Sequence, residues 1–174
     1  MNEQQWKFIS SVITWLAVTA ALRKRSKTYK DDVSDSDKQD IRKSLGEFLN
    51  SLDDKYKEPV DEQQHIANIE SLSNKISQEY GKLLCGGRFM IGSAQKAINL
   101  YLKYLWCLGK IPTPPHCPFD RRIIQKLKDH SDVRWTTLDN VEVYKNLVKE
   151  ARKIAKTTNY ESMAQWELEQ YNDI

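Results

Sequence analysis

The chain of 174 residues has few of the residue types that mark special structural classes. Its three cysteines, six glycines and five prolines exclude a collagen-like or low-complexity protein. The cysteines form no Cys-x-x-Cys pair, so the usual ligand spacing of a zinc ribbon or finger is missing. Because their number is odd and their spacing irregular, a secreted disulfide framework is not indicated, and we expect a cytoplasmic protein.

Long apolar runs and a strong charge imbalance are also missing. The apolar stretch from Val12 to Leu22 has 11 residues, whereas a membrane helix needs about 20. No basic segment precedes this stretch, so a signal peptide is not expected. The 27 basic and 24 acidic residues give a net charge of +3, which is compatible with a nucleic-acid partner without requiring one. We expect a monomer with no membrane partner.

Helical periodicity covers almost the whole chain, and no run alternates as a strand does. The predicted fold class is all-α, with about seven helices in one domain over residues 1–174, or in two lobes with a cleft between them. The pattern predicts helices over 4–25 (ending in Arg23, Lys24 and Arg25), 36–52, 59 or 61 to 84, 92–108, 120–128, 137 or 139 to 156, and a short one after 158. Capping boxes are predicted at Ser36 with Gln39 and at Thr158 with Glu161.

The fourth predicted helix is amphipathic. Its apolar face is formed by residues spaced three and four apart: Ala94, Ile98, Tyr101, Leu105 and Leu108. The opposite side carries polar residues: Lys96, Asn99, Lys103 and Lys110. The loop IPTPPHCP after this helix is predicted to be stiff and extended, because its prolines are clustered.

Lys96 stands out within this helix. If Ser93 is the N-cap, Lys96 lies in the first turn, where a cation faces the positive end of the helix dipole. That field would lower the pKa of the lysine, and a neutral amine is a nucleophile whereas an ammonium is not. The alternative is an ordinary solvated surface lysine.

Asp120 is the second unusual position, in the segment PHCPFDRR over residues 115–122. Aspartate between a proline-rich loop and a helix is a typical N-cap. A carboxylate in the same place could also face a cleft and stabilise a developing positive charge, as one does beside an oxocarbenium-like sugar.

Together these segments resemble a known family. GSAQKAIN, from Gly92 to Asn99, is similar to the G-x-G-x-K-T-A-N signature of the helix-hairpin-helix DNA glycosylases, the superfamily that contains endonuclease III. PFDRRII, from Pro118 to Ile124, corresponds to the V-D-T-H-V motif that follows in that family. The resemblance lies in residues 86–128, within a helix-hairpin-helix and catalytic segment at about 62–128. The long connection between the motifs is similar to that of archaeal 8-oxoguanine glycosylases.

The resemblance implies roles for particular residues. Asp120 would stabilise the sugar cation, and Lys96 would attack the sugar. DNA contacts are implied for the hairpin and the residues flanking the two motifs: Arg88, Gly92, Ser93, Ala94, Gln95, Arg121 and Arg122. The extruded base is expected among Tyr101, Trp106, Phe119 and His116.

The sequence also departs from the family pattern. Ala94 replaces the second hairpin glycine, and Arg121 and Arg122 replace the Thr-His pair. No four-cysteine cluster follows, so the iron–sulfur cofactor of some relatives is not expected. We expect no cofactor and no metal.

Three hypotheses for function result. The first is a DNA glycosylase that excises a modified or damaged base from double-stranded DNA, in repair or in defence against phage DNA, with AP-lyase activity if Lys96 is the nucleophile. The second is a non-enzymatic all-α module that binds nucleic acid or a protein. The third is a metal-dependent enzyme that uses His116 with the cysteines Cys85, Cys107 and Cys117.

A basic face on the sixth predicted helix bears on the first two hypotheses. Its cations, which either track phosphates or form a solvated surface, are Lys145, Lys149, Arg152, Lys153 and Lys156.

Overall fold

The fold is all-α, as predicted. A computed structural model describes residues 1–22 and 27–172, and this part of the chain has seven α-helices and no β-strand. The helices are α1 (Glu3–Ala21), α2 (Asp35–Asn50), α3 (Glu62–Tyr80), α4 (Ile91–Cys107), α5 (Arg121–Ile124), α6 (Val141–Thr157) and α7 (Met163–Asn172). The predicted basic end of the first helix, at Arg23, Lys24 and Arg25, lies outside the described residues.

Side-chain caps set where several helices begin. Of the two predicted starts of the third helix, Pro59 and Asp61, the structure has Asp61 as the N-cap of α3, whose carboxylate accepts the backbone N–H of Gln64. The capping box predicted at Ser36 is wrong by two residues, since Ser34 caps α2. Asn140 caps α6, in place of the predicted Thr137 or Asp139.

Three predicted helix boundaries are wrong, two ends and one start. The helix predicted over residues 120–128 is the single turn α5, which is followed by 3-10 turns at Lys128–His130 and Trp135–Thr137. The third helix ends at Tyr80, before a separate 3-10 turn at Cys85–Gly87. The last helix begins only at Met163, where the Ser162 hydroxyl accepts the N–H of Gln165.

Helix α4 lies at the centre of the fold. Thirteen of its seventeen residues are buried, because α1, α2, α3, α6 and the Trp135–Thr137 turn all pack around it. The predicted amphipathic pattern is therefore only half right: Lys96, Asn99 and Lys103, on the predicted polar side, are buried too. A continuous hydrophobic core around α4 takes residues from all seven helices.

The proline-rich loop is also more deeply placed than its composition suggests. His116, Cys117, Pro118 and Phe119 are all buried beside α4. This loop therefore runs through the interior and delivers the chain to Asp120. Among the described helices, none combines the length and the apolar character needed to cross a membrane.

Candidate active site

The structure brings Lys96 and Asp120 together. The Lys96 ammonium lies 3.8 Å from Oδ2 of Asp120, although 24 residues separate them in the chain. The other oxygen, Oδ1, accepts the backbone N–H groups of Arg122 and Ile123 at 3.0 and 3.2 Å. Asp120 thus caps α5 with one oxygen and faces the lysine with the other, so its two predicted roles are geometrically compatible.

Lys96 is placed deeper in its helix than predicted. Because α4 begins at Ile91 with Met90 as N-cap, Lys96 is the sixth helical residue and lies in the second turn. The expected first-turn position after a Ser93 cap is therefore wrong. The field of the helix dipole is weak in the second turn, because it falls off within the first turn. Burial and the neighbouring carboxylate define this lysine instead: its side chain is only 7% exposed.

An indole ring covers the lysine. The Lys96 ammonium lies 4.3 Å from the centroid of the Trp135 ring, a cation–π geometry. Gly92, one turn before Lys96, makes this approach possible, because a Cβ at residue 92 would overlap the carbonyl oxygen of Trp135. The Gly92 N–H also donates to the carbonyl of Leu138 at 2.8 Å. The glycine therefore docks the Trp135–Thr137 turn onto α4.

Two amide side chains of α4 hold the segment that precedes Asp120. The Gln95 side chain donates to the carbonyl of Phe119 at 2.8 Å and accepts the Phe119 N–H at 3.1 Å. One turn later, Asn99 donates to the carbonyl of Cys117 at 3.0 Å. These bonds satisfy the buried backbone of the loop. They also fix Asp120, the next residue, opposite Lys96.

Asn99 belongs to a buried hydrogen-bonded chain. Asn68 donates to the Tyr56 hydroxyl at 3.0 Å, so the single phenol proton goes to Nδ1 of His65, 2.7 Å away. The Nε2 of His65 therefore carries the ring proton and donates to Oδ1 of Asn99 at 2.8 Å. Burial lowers the pKa of His65 to about 4, although the bond to Asn99 favours its protonation.

The chain continues from Asn99 to His116. Asn99 donates to the Tyr144 hydroxyl at 3.1 Å, and that hydroxyl bonds to Nδ1 of His116 at 2.7 Å. The Nε2 of His116 is buried without a hydrogen bond, 3.5 Å from Oε1 of Glu62. Burial, together with His65 and Arg152, lowers the pKa of His116 well below its usual value. Both buried rings are consequently neutral near pH 7.

A second lysine–carboxylate pair lies further along α4. Lys103 and Glu167 of α7 form a buried ion pair at 2.7 Å. Burial raises the pKa of Glu167, while Lys103 opposes the shift. The Tyr171 ring lies 4.5 Å from the Lys103 ammonium and 5.5 Å from the guanidinium of Arg122. Because Arg122 follows Asp120 by two residues, the two pairs lie on neighbouring parts of the fold.

The hairpin residues that are predicted to contact DNA phosphates lie in the interior. Gly92, Ser93, Ala94 and Gln95 are all buried at the start of α4. The Gly92 N–H bonds to Leu138, and the N–H groups of Ser93 and Ala94 bond to the Met90 carbonyl. The backbone donors of Gly92, Ser93 and Ala94 therefore have partners and lie away from solvent, and the DNA-binding role of the four residues stays a prediction.

The three predicted DNA-contacting arginines have different surroundings. Arg88 is half-buried and bonds to the carboxylate of Asp139 at 3.0 Å and to Asn74 at 2.8 Å. Arg121 is exposed, and it donates to the carbonyl of Ser131. Arg121 and Arg122 lie directly after Asp120, whereas Arg88 joins the start of α4 to the segment before α6.

The predicted base pocket does not form as one group. Tyr101 is turned toward α2 and donates to Asp53 at 2.5 Å. Trp106 lies ten residues after Lys96, about 15 Å along the helix axis. Phe119 and His116 are fully buried against Tyr144, so they line the core. These side chains leave α4 and the loop in different directions, so the structure does not bring the four predicted pocket residues together.

Sequence reasoning missed several residues around Lys96 and Asp120. Trp135 lies outside both motifs and carried no local signal. The roles of Gln95 and Asn99 as loop anchors were detectable, because Gln95, Asn99 and Lys103 recur every four residues and so share one face of α4. The sequence pattern places Asn99 and Lys103 on the polar side of the helix, and it does not predict that they are buried.

The hypothesis of a metal-dependent enzyme requires a cluster of metal-ligating side chains. Within residues 1–22 and 27–172, no three His, Cys, Asp or Glu side chains gather in a way that could hold an ion. Cys107 is exposed and Cys117 is buried, and burial raises the pKa of the Cys117 thiol well above its usual value. Cys85 donates to the carbonyl of Tyr29 at 2.9 Å.

The Lys96–Asp120 pair, its tryptophan cover and its amide anchors thus form the candidate active site. Comparison of the chain with protein families, with curated proteins and with solved structures found no match.

Proposed function

We propose that the protein is a DNA glycosylase that cleaves the N-glycosidic bond of a modified or damaged base in double-stranded DNA. The observation that carries this proposal is the 3.8 Å approach of the Lys96 ammonium to the Asp120 carboxylate. The pair joins α4 to α5, in the order of motifs on which the resemblance to helix-hairpin-helix glycosylases rests. The hairpin amides are not part of this proposal, because they have partners within the protein.

The pair has the chemistry that base excision needs. When the bond between the base and C1′ breaks, its electrons leave with the base and positive charge develops on the sugar. Oδ2 of Asp120, which no backbone donor occupies among the described residues, stabilises that charge. Water, or the Lys96 amine once its ammonium has given a proton to the departing base, then bonds to C1′ and passes a proton to Oδ2 of Asp120. With the amine as nucleophile, the C1′–O4′ bond then breaks, O4′ takes up that proton, and a Schiff base with the opened sugar remains.

Access to Lys96 requires a movement of the Trp135–Thr137 turn. The lysine side chain is 7% exposed, and the Trp135 ring lies over its ammonium. Displacing this turn uncovers the pair and offers an indole on which an extruded base can stack. We therefore expect the turn to open when substrate binds.

The decisive experiment incubates the protein with duplexes that carry oxidised, deaminated, alkylated or phage-type modified bases. Abasic sites report excision, and borohydride trapping reports a covalent amine adduct. Asp120→Asn keeps a good helix cap but removes the charge, so we expect excision to fall about 100-fold or more while the melting temperature changes little. Lys96→Gln should abolish trapping.

Lys103→Gln is the matched control for Lys96→Gln. It removes the other buried lysine of α4, whose partner is Glu167, and should leave trapping in place. Trapping that survives Lys96→Gln, or excision that survives Asp120→Asn, contradicts the assigned roles. If no duplex in the panel gives excision or trapping, the enzymatic proposal fails and the non-enzymatic helical module becomes the better account.

A further inference from the structure

A basic groove lies away from the Lys96–Asp120 pair. It has a volume of about 760 Å³ and runs between α6 and the 3-10 turn at Lys128–His130. Four exposed lysines line it, two from each side: Lys126, Lys128, Lys149 and Lys153. We refer to these four residues as the lysine groove.

Two carboxylates, Asp129 and Glu150, also line the groove, so its four lysines outnumber them two to one. Glu150 is turned inward: its side chain is 12% exposed, Oε1 accepts the N–H of Asp129, and Oε2 lies 3.8 Å from the His130 ring. Lys126 bonds to the neutral amide of Gln170 at 2.8 Å. Within residues 1–22 and 27–172, no lysine of the groove forms an ion pair with a carboxylate.

Other cations of α6 are engaged differently. Arg152 pairs with Glu62 at 3.0 Å, and Lys145 pairs with Glu142 at 2.7 Å. The basic face seen in the sequence is thus divided into a paired part and an unpaired, concave part that contains Lys149 and Lys153. A concave surface with several unpaired cations complements a chain of anions better than a single anion, because it offers separated charges along its length.

The position of the groove relative to Asp120 identifies the anion chain. Lys126 follows Asp120 by six residues, and the single turn of α5 lies between them. Helix α7 contacts both regions, through Gln170 at Lys126 and through Tyr171 at Arg122. The lysine groove and Asp120 are therefore linked through α5 and α7, and this link is the reason to consider one ligand for both.

We propose that the lysine groove binds the phosphate backbone of double-stranded DNA. This inference rests on the proposed function, since it uses the neighbouring Lys96–Asp120 pair to choose DNA over other polyanions. The binding is independent of base sequence, because lysine ammonium groups contact phosphates as point charges and do not read base edges.

The test measures binding of an unmodified duplex of about 20 base pairs by fluorescence anisotropy between about 50 and 200 mM salt. The variant Lys149→Gln/Lys153→Gln removes two charges from the groove. We expect the slope of log K against log salt to become shallower by about 1.8, and affinity at 0.1 M salt to fall roughly 60-fold, since each phosphate contact contributes about 0.9 to that slope.

The control Lys145→Gln/Lys156→Gln removes the same charge from exposed positions of the same helix outside the groove. It should change the slope by less than half as much. Equal losses in both variants would show diffuse attraction and overturn the proposal. So would binding of phosphatidylserine vesicles that depends on the groove while the duplex does not bind at all.

The binding assay and the excision assay together separate the two proposals. Groove-dependent duplex binding without excision of any modified base removes the glycosylase and keeps the groove. Excision at a normal rate, with equal binding by both double variants, removes the groove and keeps the glycosylase.

Discussion

At the residue scale, Gln95 holds the residue that precedes Asp120. Gln95 is fully buried and bonds to both the N–H and the carbonyl of Phe119, the residue before Asp120. Its amide also donates to the Gly92 carbonyl, one turn back on α4. A buried backbone group without a partner costs about 1–3 kcal/mol. Loss of the Gln95 amide would therefore destabilise the protein through the backbone groups that it leaves unpaired.

We predict that Gln95→Leu lowers the free energy of unfolding by about 2–4 kcal/mol, since it leaves the Phe119 N–H and carbonyl buried without partners. Urea unfolding followed by circular dichroism measures this. Gln63→Leu, at an exposed position of α3, is the control and should change stability by less than about 0.5 kcal/mol. A similarly small change for Gln95→Leu would mean that the loop is held by other contacts.

At the scale of elements, one glycine sets the distance between α4 and the Trp135–Thr137 turn. Replacing a helical glycine by alanine usually stabilises a protein by about 1 kcal/mol, because alanine has less backbone freedom to lose. At Gly92 the added methyl would overlap the Trp135 carbonyl. Gly92→Ala should therefore destabilise the protein, whereas alanine for glycine within a helix usually stabilises it.

We predict that Gly92→Ala lowers the free energy of unfolding by about 1–3 kcal/mol, the cost of overpacking, and moves the turn off Lys96. Urea unfolding measures the first effect. The second is measured as faster modification of Lys96 by an amine-reactive reagent, located by mass spectrometry.

Gly109→Ala provides the comparison. Gly109 has a φ of +66° and open space around its Cα, so alanine there adds backbone strain without touching the turn. It should lower stability and leave Lys96 protected. If both variants expose Lys96 equally, the contact of Gly92 with the turn is not what covers the lysine.

At the scale of the whole molecule, burial of His65 and His116 couples stability to pH. The unfolded chain binds a proton at His65 near pH 6.5, whereas the folded chain does so only near pH 4. Between these values the unfolded state binds more protons, so the free energy of unfolding falls as the pH falls. His116, whose pKa is also lowered, acts in the same direction. Glu167 and Asp53 have raised pKa values and oppose the trend.

We predict that proton binding at His65 alone lowers the free energy of unfolding by about 3 kcal/mol as the pH falls from 6.5 to 4. Urea unfolding at a series of pH values measures the total, and His65→Gln should flatten the curve. Because that variant can also perturb the buried chain, the His65 ring is followed independently by NMR. A His65 ring that titrates near pH 6.5 in the folded protein would refute the assignment.

Helix caps could be predicted from the sequence, because they depend on residues that are close together in the chain. The caps at Asp61 and Asp120 follow from an aspartate next to a helix start, a preference that acts within three residues. The burial of Asn99 and Lys103 could not be predicted in this way, since it depends on partners such as Tyr144 and Glu167 that are distant in the chain. The family resemblance implies that Lys96 and Asp120 act on the same sugar, whereas the packing of Trp135 over Lys96 had no sequence signal.

The hydrogen-bonded chain from Asn68 to His116 has a consequence for how this sequence can vary. Every link points the same way, with each member accepting from the one before and donating to the one after. Aspartate at position 99 would supply no proton for Tyr144, although its shape is nearly that of asparagine. Related sequences should therefore change these positions together, or replace the whole group with apolar residues. We expect substitutions at positions 56 and 144 to be correlated for this reason.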